Sequence, residues 1–473
     1  MDISERTKEI YKSTSITKHL VVVFPGLNHT VSGSDIYADS MKLSEKLSDS
    51  DSIEFVGCIA SKFEVQIRDF GVDIKGEEIY AYIYTDGTER EPINLFHGIV
   101  DEAKLQSNHK IKNIVAYDYL YTKGNVEVAN WYNTLSFPIT LGELRRSLFS
   151  YIGLSYYDKG LPNDGITIEK QYDPKTLQSI VVIKSICQIN GAFGIINRNG
   201  VFEFRILPEI TMKGASIPSL TLYPPFYPGG SGDESVDQIA SYRNVDYQEY
   251  KVKPVDKIQI RQSEDDVGVT YDPGGTGINK YIIQGNMFTY KLNDETVLQM
   301  AQNIYPNVSG VQYIPYDAQN SGFPWIECGS SVLDYFVYDF DNSTATEDVY
   351  KEVQFYVLNR NLTGIQNLQD SYNAEGDEYQ KEFVTDINAR LDTIQSDIEE
   401  KVERIIEEHD FTGDVTPIIE EYTYPASDLY DKDEIDDMFS HIPTGFDVQS
   451  VAALPANPDM NTIYLIQGEV VVE

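Results

Sequence analysis

Positive charge is what this 473-residue chain has least of: 37 Lys and Arg stand against 75 Asp and Glu, a formal net charge of −38. Tight binding to a phosphate backbone is thereby disfavoured, because such binding needs neutralising cations. Cysteine is scarce too; Cys58, Cys187 and Cys328 lie far apart in sequence and form no C-x-x-C pair. That usage points to neither a disulfide framework nor a cysteine zinc site, and buried free thiols are expected. Apolar runs such as 20–24 and 180–183 fall far short of the ~20 residues a membrane-spanning helix needs, so no membrane span is expected. Residues 1–18 mix acids and bases without the apolar stretch of a secretory signal, and we expect synthesis and folding in a reducing cytoplasm. What is present is sufficient for packed cores: 41% of residues are hydrophobic, and there are 34 Tyr beside only 2 Trp. Disorder throughout is excluded, and the length favours two to four structural units.

Period-two alternation dominates the first 138 residues. From 53 to 67 the odd positions include Ile53, Phe55, Ile59, Phe63, Val65 and Ile67, which predicts a half-buried antiparallel strand pair. Ile79, Ala81 and Ile83 alternate with Tyr80, Tyr82 and Tyr84 before an Asp86-Gly87 turn. An α+β segment follows over 139–222. Thr140 and Glu143 make a capping box, and Leu141, Leu144, Leu148 and Ile152 share one helical face closed by Gly153. Ile186-Cys187-Gln188-Ile189 reads as a core strand, and Asn197-Arg198-Asn199-Gly200 as a hairpin turn. Three Pro and three Gly mark 223–235 as a linker. A second β unit then spans 236–376, with one helix starting at Asn293 or Asp294 and stopped by Pro306.

Beyond 376 the pattern becomes helical. Phe383, Ile387, Leu391, Ile394, Ile398, Val402 and Ile405 recur at spacings of 4, 4, 3, 4, 4 and 3, an eleven-residue repeat whose seam runs nearly straight along a helix. Acids precede bases by four residues at Asp377/Lys381, Asp386/Arg390, Asp397/Lys401 and Glu400/Arg404. One narrow apolar stripe on a solvated helix is buried most simply by identical copies, so these seven residues form the expected interface between copies in a coiled-coil stalk over 377–409. An acidic linker (410–443) follows, and the C-terminal segment (444–473) reads as a β-hairpin of 462–466 and 469–472 about Gln467-Gly468.

Several stretches resemble one family. The segments 40–47 (SMKLSEKL), 53–61 (IEFVGCIAS), 96–101 (FHGIVD), 116–118 (AYD) and 362–370 (LTGIQNLQD) through Ala374-Glu375-Gly376 are similar to those of baseplate hub or tail-tip proteins of Gram-positive bacteriophages and prophages. The resemblance covers roughly 15–376; at Glu327-Cys328-Gly329-Ser330 it departs from the acidic residue the family often shows after the Gly. It implies a homotrimer whose subunits each supply two related β domains, seated on a hexameric tail tube and lining a passage for DNA. Implied partners are tube and distal tail proteins, a receptor-binding protein or fibre, and the host cell wall. The implied location is the virion, assembled in the bacterial host cytoplasm. The expected architecture is therefore mainly β with an α+β insert, two hub-type β domains, a trimeric coiled-coil stalk and a small C-terminal β segment.

Motifs of chemistry do not rise above loop and strand readings. The Gly-rich stretches at 229–232 and 274–277 lack the Lys and Ser/Thr of a phosphate-binding loop, and the six His show no H-E-x-x-H or H-x-H spacing. His97 reads as a strand residue. Asp339, Asp341 and Ser343 have the first spacings of a calcium loop, but Thr344 and Tyr350 occupy its Gly and Glu positions. No catalytic, cofactor-binding or metal residue is assigned. The alternatives are a host-surface glycan-binding adaptor and, through a carboxylate pair, a tail-associated peptidoglycan hydrolase.

Overall fold

A computed structural model of the chain describes residues 3–12, 16–48, 55, 57–170, 174–208, 210, 213–215, 237–238, 242–263, 266–274, 277, 279–338, 350–378, 383–384, 447–451 and 462–466. They fall into two units, Met1–Ile394 and Gln395–Glu473. The first unit opens with α1 (Glu5–Lys12), β1 (Lys18–Phe24), β2 (His29–Ser32), β3 (Lys42–Lys46), β4 (Lys62–Arg68), β5 (Glu78–Thr85), β6 (Ile93–Leu105) and β7 (Ile111–Asp118). Next come α2 (Tyr119–Gly124), α3 (Ala129–Thr134), β8 (Ile139–Thr140), α4 (Leu141–Ile152), β9 (Thr167–Ile168), α5 (Ser179–Gln188), β10 (Phe193–Ile196), β11 (Phe202–Arg205), β12 (Lys213–Ala215) and β13 (Asp237–Gln238). It continues with β14 (Tyr242–Tyr247), β15 (Lys257–Arg261), β16 (Val269–Tyr271), β17 (Lys280–Gln284), α6 (Asp294–Val308), β18 (Tyr316–Ser321), β19 (Ser331–Tyr338), β20 (Tyr350–Tyr356), β21 (Asn359–Thr363), β22 (Gln369–Ala374) and β23 (Phe383–Val384). The protein is mainly β with few helices.

Alternation builds the principal sheet, whose order is β14-β18-β22-β21-β3-β4-β7-β6-β5-β1-β2. In β4 and β5 every second residue (Phe63, Val65, Ile67; Ile79, Ala81, Ile83) is buried while the intervening ones are half-buried. Strands from both expected β segments thus share one sheet, because β21 pairs antiparallel with β3. Of the strand pair expected over 53–67, β4 begins at Lys62, and Gly57 lies against the chain at Leu47. A Cβ on Gly57 would stand 1.7 Å from the Leu47 carbonyl oxygen, so this close approach requires glycine.

The helix α4 forms as its caps dictate: Thr140 and Glu143 bond reciprocally, and Gly153 closes the helix in the left-handed region. Two expectations are corrected. The run containing Cys187 is helical, not a strand, since Val182, Ile183, Ile186 and Cys187 are buried at helical spacing and override the β preference of their branched side chains. Asn293 caps α6 through the Thr296 amide, but Pro306 lies within its last turn and the helix ends at Val308. A proline there lacks a single amide, and the cost is tolerated beside the buried Ile304 and Val308.

Residues 223–235, expected as a linker, and 339–349, which hold the calcium-loop spacing, lie outside the described residues. In the second unit β24 (Asp447–Val451) pairs in parallel with β25 (Thr462–Ile466). Residues 467–473, which hold the expected hairpin turn and return strand, lie outside the described residues.

Candidate functional site

The seam β3–β21–β22 gathers charge in the sheet interior by strand periodicity alone. Leu43 and Glu45 face inward from β3, Arg360 and Leu362 from β21, and Asp370, Tyr372 and Ala374 from β22. Register sets Arg360 directly opposite both Glu45 and Tyr372, with Asp370 opposite Leu362. Cross-strand neighbours at this spacing are within reach of long side chains.

Arg360 donates from Nε and Nη2 to the two oxygens of Asp370, at 2.8 Å each, and from Nη1 to Glu45 Oε2 at 3.0 Å. Its remaining hydrogens go to the Phe323 and Ile326 carbonyls. Tyr372 donates to Asp370 Oδ2 at 2.7 Å, and the Phe323 amide donates to the same oxygen at 3.2 Å. Arg198, from the turn between β10 and β11, enters from the other side and donates to Glu45 Oε2 at 3.3 Å and to the Pro324 and Ile326 carbonyls. Two cations therefore face two anions with nearly every polar atom satisfied. Burial raises the Asp370 carboxyl above its usual range, and the bidentate guanidinium opposes that rise; burial opposes the Arg360 charge, and Asp370 and Glu45 more than offset that. This arrangement fixes position and offers no reacting group.

A second cluster lies where the same turn meets β5 and β6. His97 Nε2 is 2.8 Å from Glu78 Oε1 and 2.7 Å from the Tyr119 hydroxyl, which itself donates to Glu78. Its Nδ1 is 3.2 Å from the Asn199 carbonyl, and Tyr80 stacks on the ring at 3.6 Å. The Tyr119 and His97 hydrogen bonds hold the Glu78 carboxyl below the usual range. Asn94 donates to the Asn199 side chain at 2.9 Å, so main chain and side chain of one turn residue are both held. Sequence reasoning gave His97 a strand position only. The missed signal is the in-register pairing of Tyr80 with His97, which only strand pairing reveals.

Clefts open on the surface of the described residues. One, of about 520 Å³, is lined by Asp246, Tyr250, Asp317, Glu375 and Asp377; the other, of about 300 Å³, by Cys58, Tyr117, Leu120, Tyr121 and Ile180. Among the described residues no group of three or more His, Cys, Asp and Glu is placed to hold a metal ion. Of the seven expected interface residues, Phe383 lies in β23, paired in parallel with Ile283 of β17 rather than on a helix. Pairing with β23 covers what would otherwise be an open edge of β17. Ile387, Leu391, Ile394, Ile398, Val402 and Ile405 lie outside the described residues.

No family model matches the sequence, and no curated protein matches it. Among solved structures the chain is similar to the 43 kDa tail protein of prophage MuSo2 from Shewanella oneidensis, at 10% identity and a TM-score of 0.45, over 76% of this chain and 98% of that one. It is similar to a tail protein from Neisseria meningitidis at 12% identity and a TM-score of 0.41, covering 77% and 98%. A prophage tail protein, gp18, from Listeria monocytogenes overlaps 80% of this chain and 98% of its own at 11% identity and a TM-score of 0.42. At scores below one half the likeness is one of broad outline and fixes no function.

Proposed function

We propose that this chain is a structural protein of a phage-type tail, the baseplate hub or tail tip, acting as a homotrimer that joins the tail tube to the distal apparatus and catalyses no reaction. The observation that carries this reading is where the hub-like segments lie. Residues 362–376, 40–47, 53–61, 116–118 and 96–101, scattered over the sequence, fall on or lead into β21–β22, β3, β4, β7 and β6, which are consecutive strands of one sheet. A resemblance spread over unrelated loops would carry less weight than one concentrated in a contiguous surface. The buried charge cluster at β3–β21 gives that surface rigidity, as a load-transmitting ring requires.

In this reading Ile387, Leu391, Ile394, Ile398, Val402 and Ile405 join the subunits, while Phe383 stays with β17. The net charge of −38 keeps DNA from adhering to the passage. Light scattering on the full chain tests the proposal. The double substitution Ile394→Asp with Ile398→Asp is expected to reduce a trimeric mass to that of a monomer, and an unchanged mass would refute the interface. Binding of wall polysaccharide by the full chain without ring formation would favour the adaptor reading instead.

A further inference from the structure

Both ring nitrogens of His97 face groups that accept hydrogen bonds. Its Nδ1 lies 3.2 Å from the Asn199 main-chain carbonyl, which has no hydrogen to give. Its Nε2 lies 2.8 Å from Glu78 Oε1 and 2.7 Å from the Tyr119 oxygen. The Tyr119 hydrogen goes to Glu78, so both neighbours of Nε2 accept as well. A neutral imidazole carries one N–H and satisfies one side, whereas the imidazolium satisfies both. The ring has little room to turn away from this choice. It is 7% exposed, Tyr80 stacks on it at 3.6 Å, and Tyr119 meets it at a steep angle. A Cβ on Gly200 would stand 2.3 Å from Nδ1, so the turn closes on the ring only because residue 200 is glycine.

We propose that His97 is a pH-sensitive clamp: as the imidazolium it holds the turn of Asn197 to Gly200 against β5 and β6, and on losing one proton it lets that turn loosen. Histidine is the side chain that ordinarily exchanges a proton between about pH 5 and pH 8. The Glu78 carboxylate is the stronger acceptor and retains the hydrogen on Nε2, so the one lost is on Nδ1. Nδ1 then turns a lone pair toward the Asn199 carbonyl. Two acceptors face each other with no hydrogen between them, and the bond that held the turn is gone. Arg198 belongs to the same turn, so the clamp and the buried Glu45 cluster share one support.

The groups packed around the ring keep their charge through that range. From β5, Glu78 stays an anion, because hydrogen bonds from Tyr119 and His97 hold its carboxyl below the usual range. Burial pushes the Tyr80 and Tyr119 hydroxyls up, and Glu78 adds to both rises, so the two phenols stay neutral. The turn meets the ring with its Asn199 carbonyl and Gly200, while Arg198 donates the other way, to Glu45. On β7, Asp118 stands opposite Gly98 and is raised by burial to about 7. Its oxygens accept from the Ser61 and Leu120 amides, not from the ring, and it is the group the test must separate from His97.

Hydrogen exchange on the full chain across a pH series, read by peptide mapping, tests the clamp in two ways at once. Amide exchange, corrected to protection factors, follows the turn, and slow deuteration at Cε1 of His97 follows the ring's own protonation. The 197–201 amides should lose protection about tenfold as pH rises, the equivalent of one charge-assisted hydrogen bond. The midpoint of that loss should coincide with the His97 midpoint. In Asp118→Asn the loss should persist, and in His97→Gln, which does not titrate, protection should stay at the wild-type high-pH level throughout. Unchanged wild-type protection, two separate midpoints, or a loss that vanishes in Asp118→Asn or survives in His97→Gln would each overturn the proposal. The paired wild-type midpoints decide the matter even if a variant fails to fold.

Discussion

Two seams of the same sheet are held in opposite ways. Between β6 and β7 the strands are sequence neighbours joined by the turn 106–110, and the contact is a backbone ladder with one register shift at Val100 and Glu102. Between β3 and β21 the partners come from distant parts of the chain, and a buried ion pair, Arg360 with Glu45, stands at their crossing. A local seam closes at little entropic cost and needs only alternation, whereas a non-local one must repay the loop closure between its strands. The charge cluster also penalises wrong register, because a one-residue slip would turn Arg360 to the other face and leave Glu45 and Asp370 unpaired.

The largest effect should come from breaking the distant seam. Arg360→Met leaves Asp370 and Glu45 buried without their cation and is expected to cost about 3–5 kcal/mol in denaturant unfolding. A double substitution that also makes Asp370 Leu should recover part of that loss. Next is the acid at the end of the local seam. Asp118 accepts from the Ser61 amide at 2.6 Å and the Leu120 amide at 2.9 Å, yet burial pushes its carboxyl up from 3.8 to about 7. Because the folded value is raised, its stabilising contribution is full below the ordinary aspartate range and is lost as pH rises through about 7. Thermal unfolding between pH 4 and pH 8 should therefore show a decline on the order of a few kcal/mol that Asp118→Asn flattens.

Gly98→Ala attacks the local seam itself. Its Cβ would stand 2.2 Å from the Tyr117 carbonyl oxygen across the β6–β7 ladder, and overpacking of this kind costs about 1–3 kcal/mol, to be read from the denaturation midpoint. The smallest expected effect lies away from both seams: Thr140→Ala removes the α4 cap and should cost about 1 kcal/mol by the same measurement. Should Gly98→Ala prove costlier than Arg360→Met, the ranking of the seams would be reversed.

The local seam was readable in the amino-acid order and the distant one only in part. Ile79, Ala81 and Ile83, the Thr140 box and the Asn197–Gly200 turn each carry their instruction within a few residues. Strand pairing across hundreds of residues has no such local code. Glu45 in KLSEK could have been flagged as an acid on the inward face of a strand, but only the register shows Arg360 opposite it. The Cys187 run reads as a strand in sequence because β-branched residues prefer strands until a buried helical face outweighs them. The surroundings of His97 have no local signal because its partners, Glu78, Tyr119 and Asn199, come from three separate elements.

Self-association is the central claim, and the mass of the intact 473-residue chain at micromolar concentration tests it most directly. Light scattering should return three times 53.6 kDa, stable on dilution through that range. A mass of 53.6 kDa with the fold intact would contradict it.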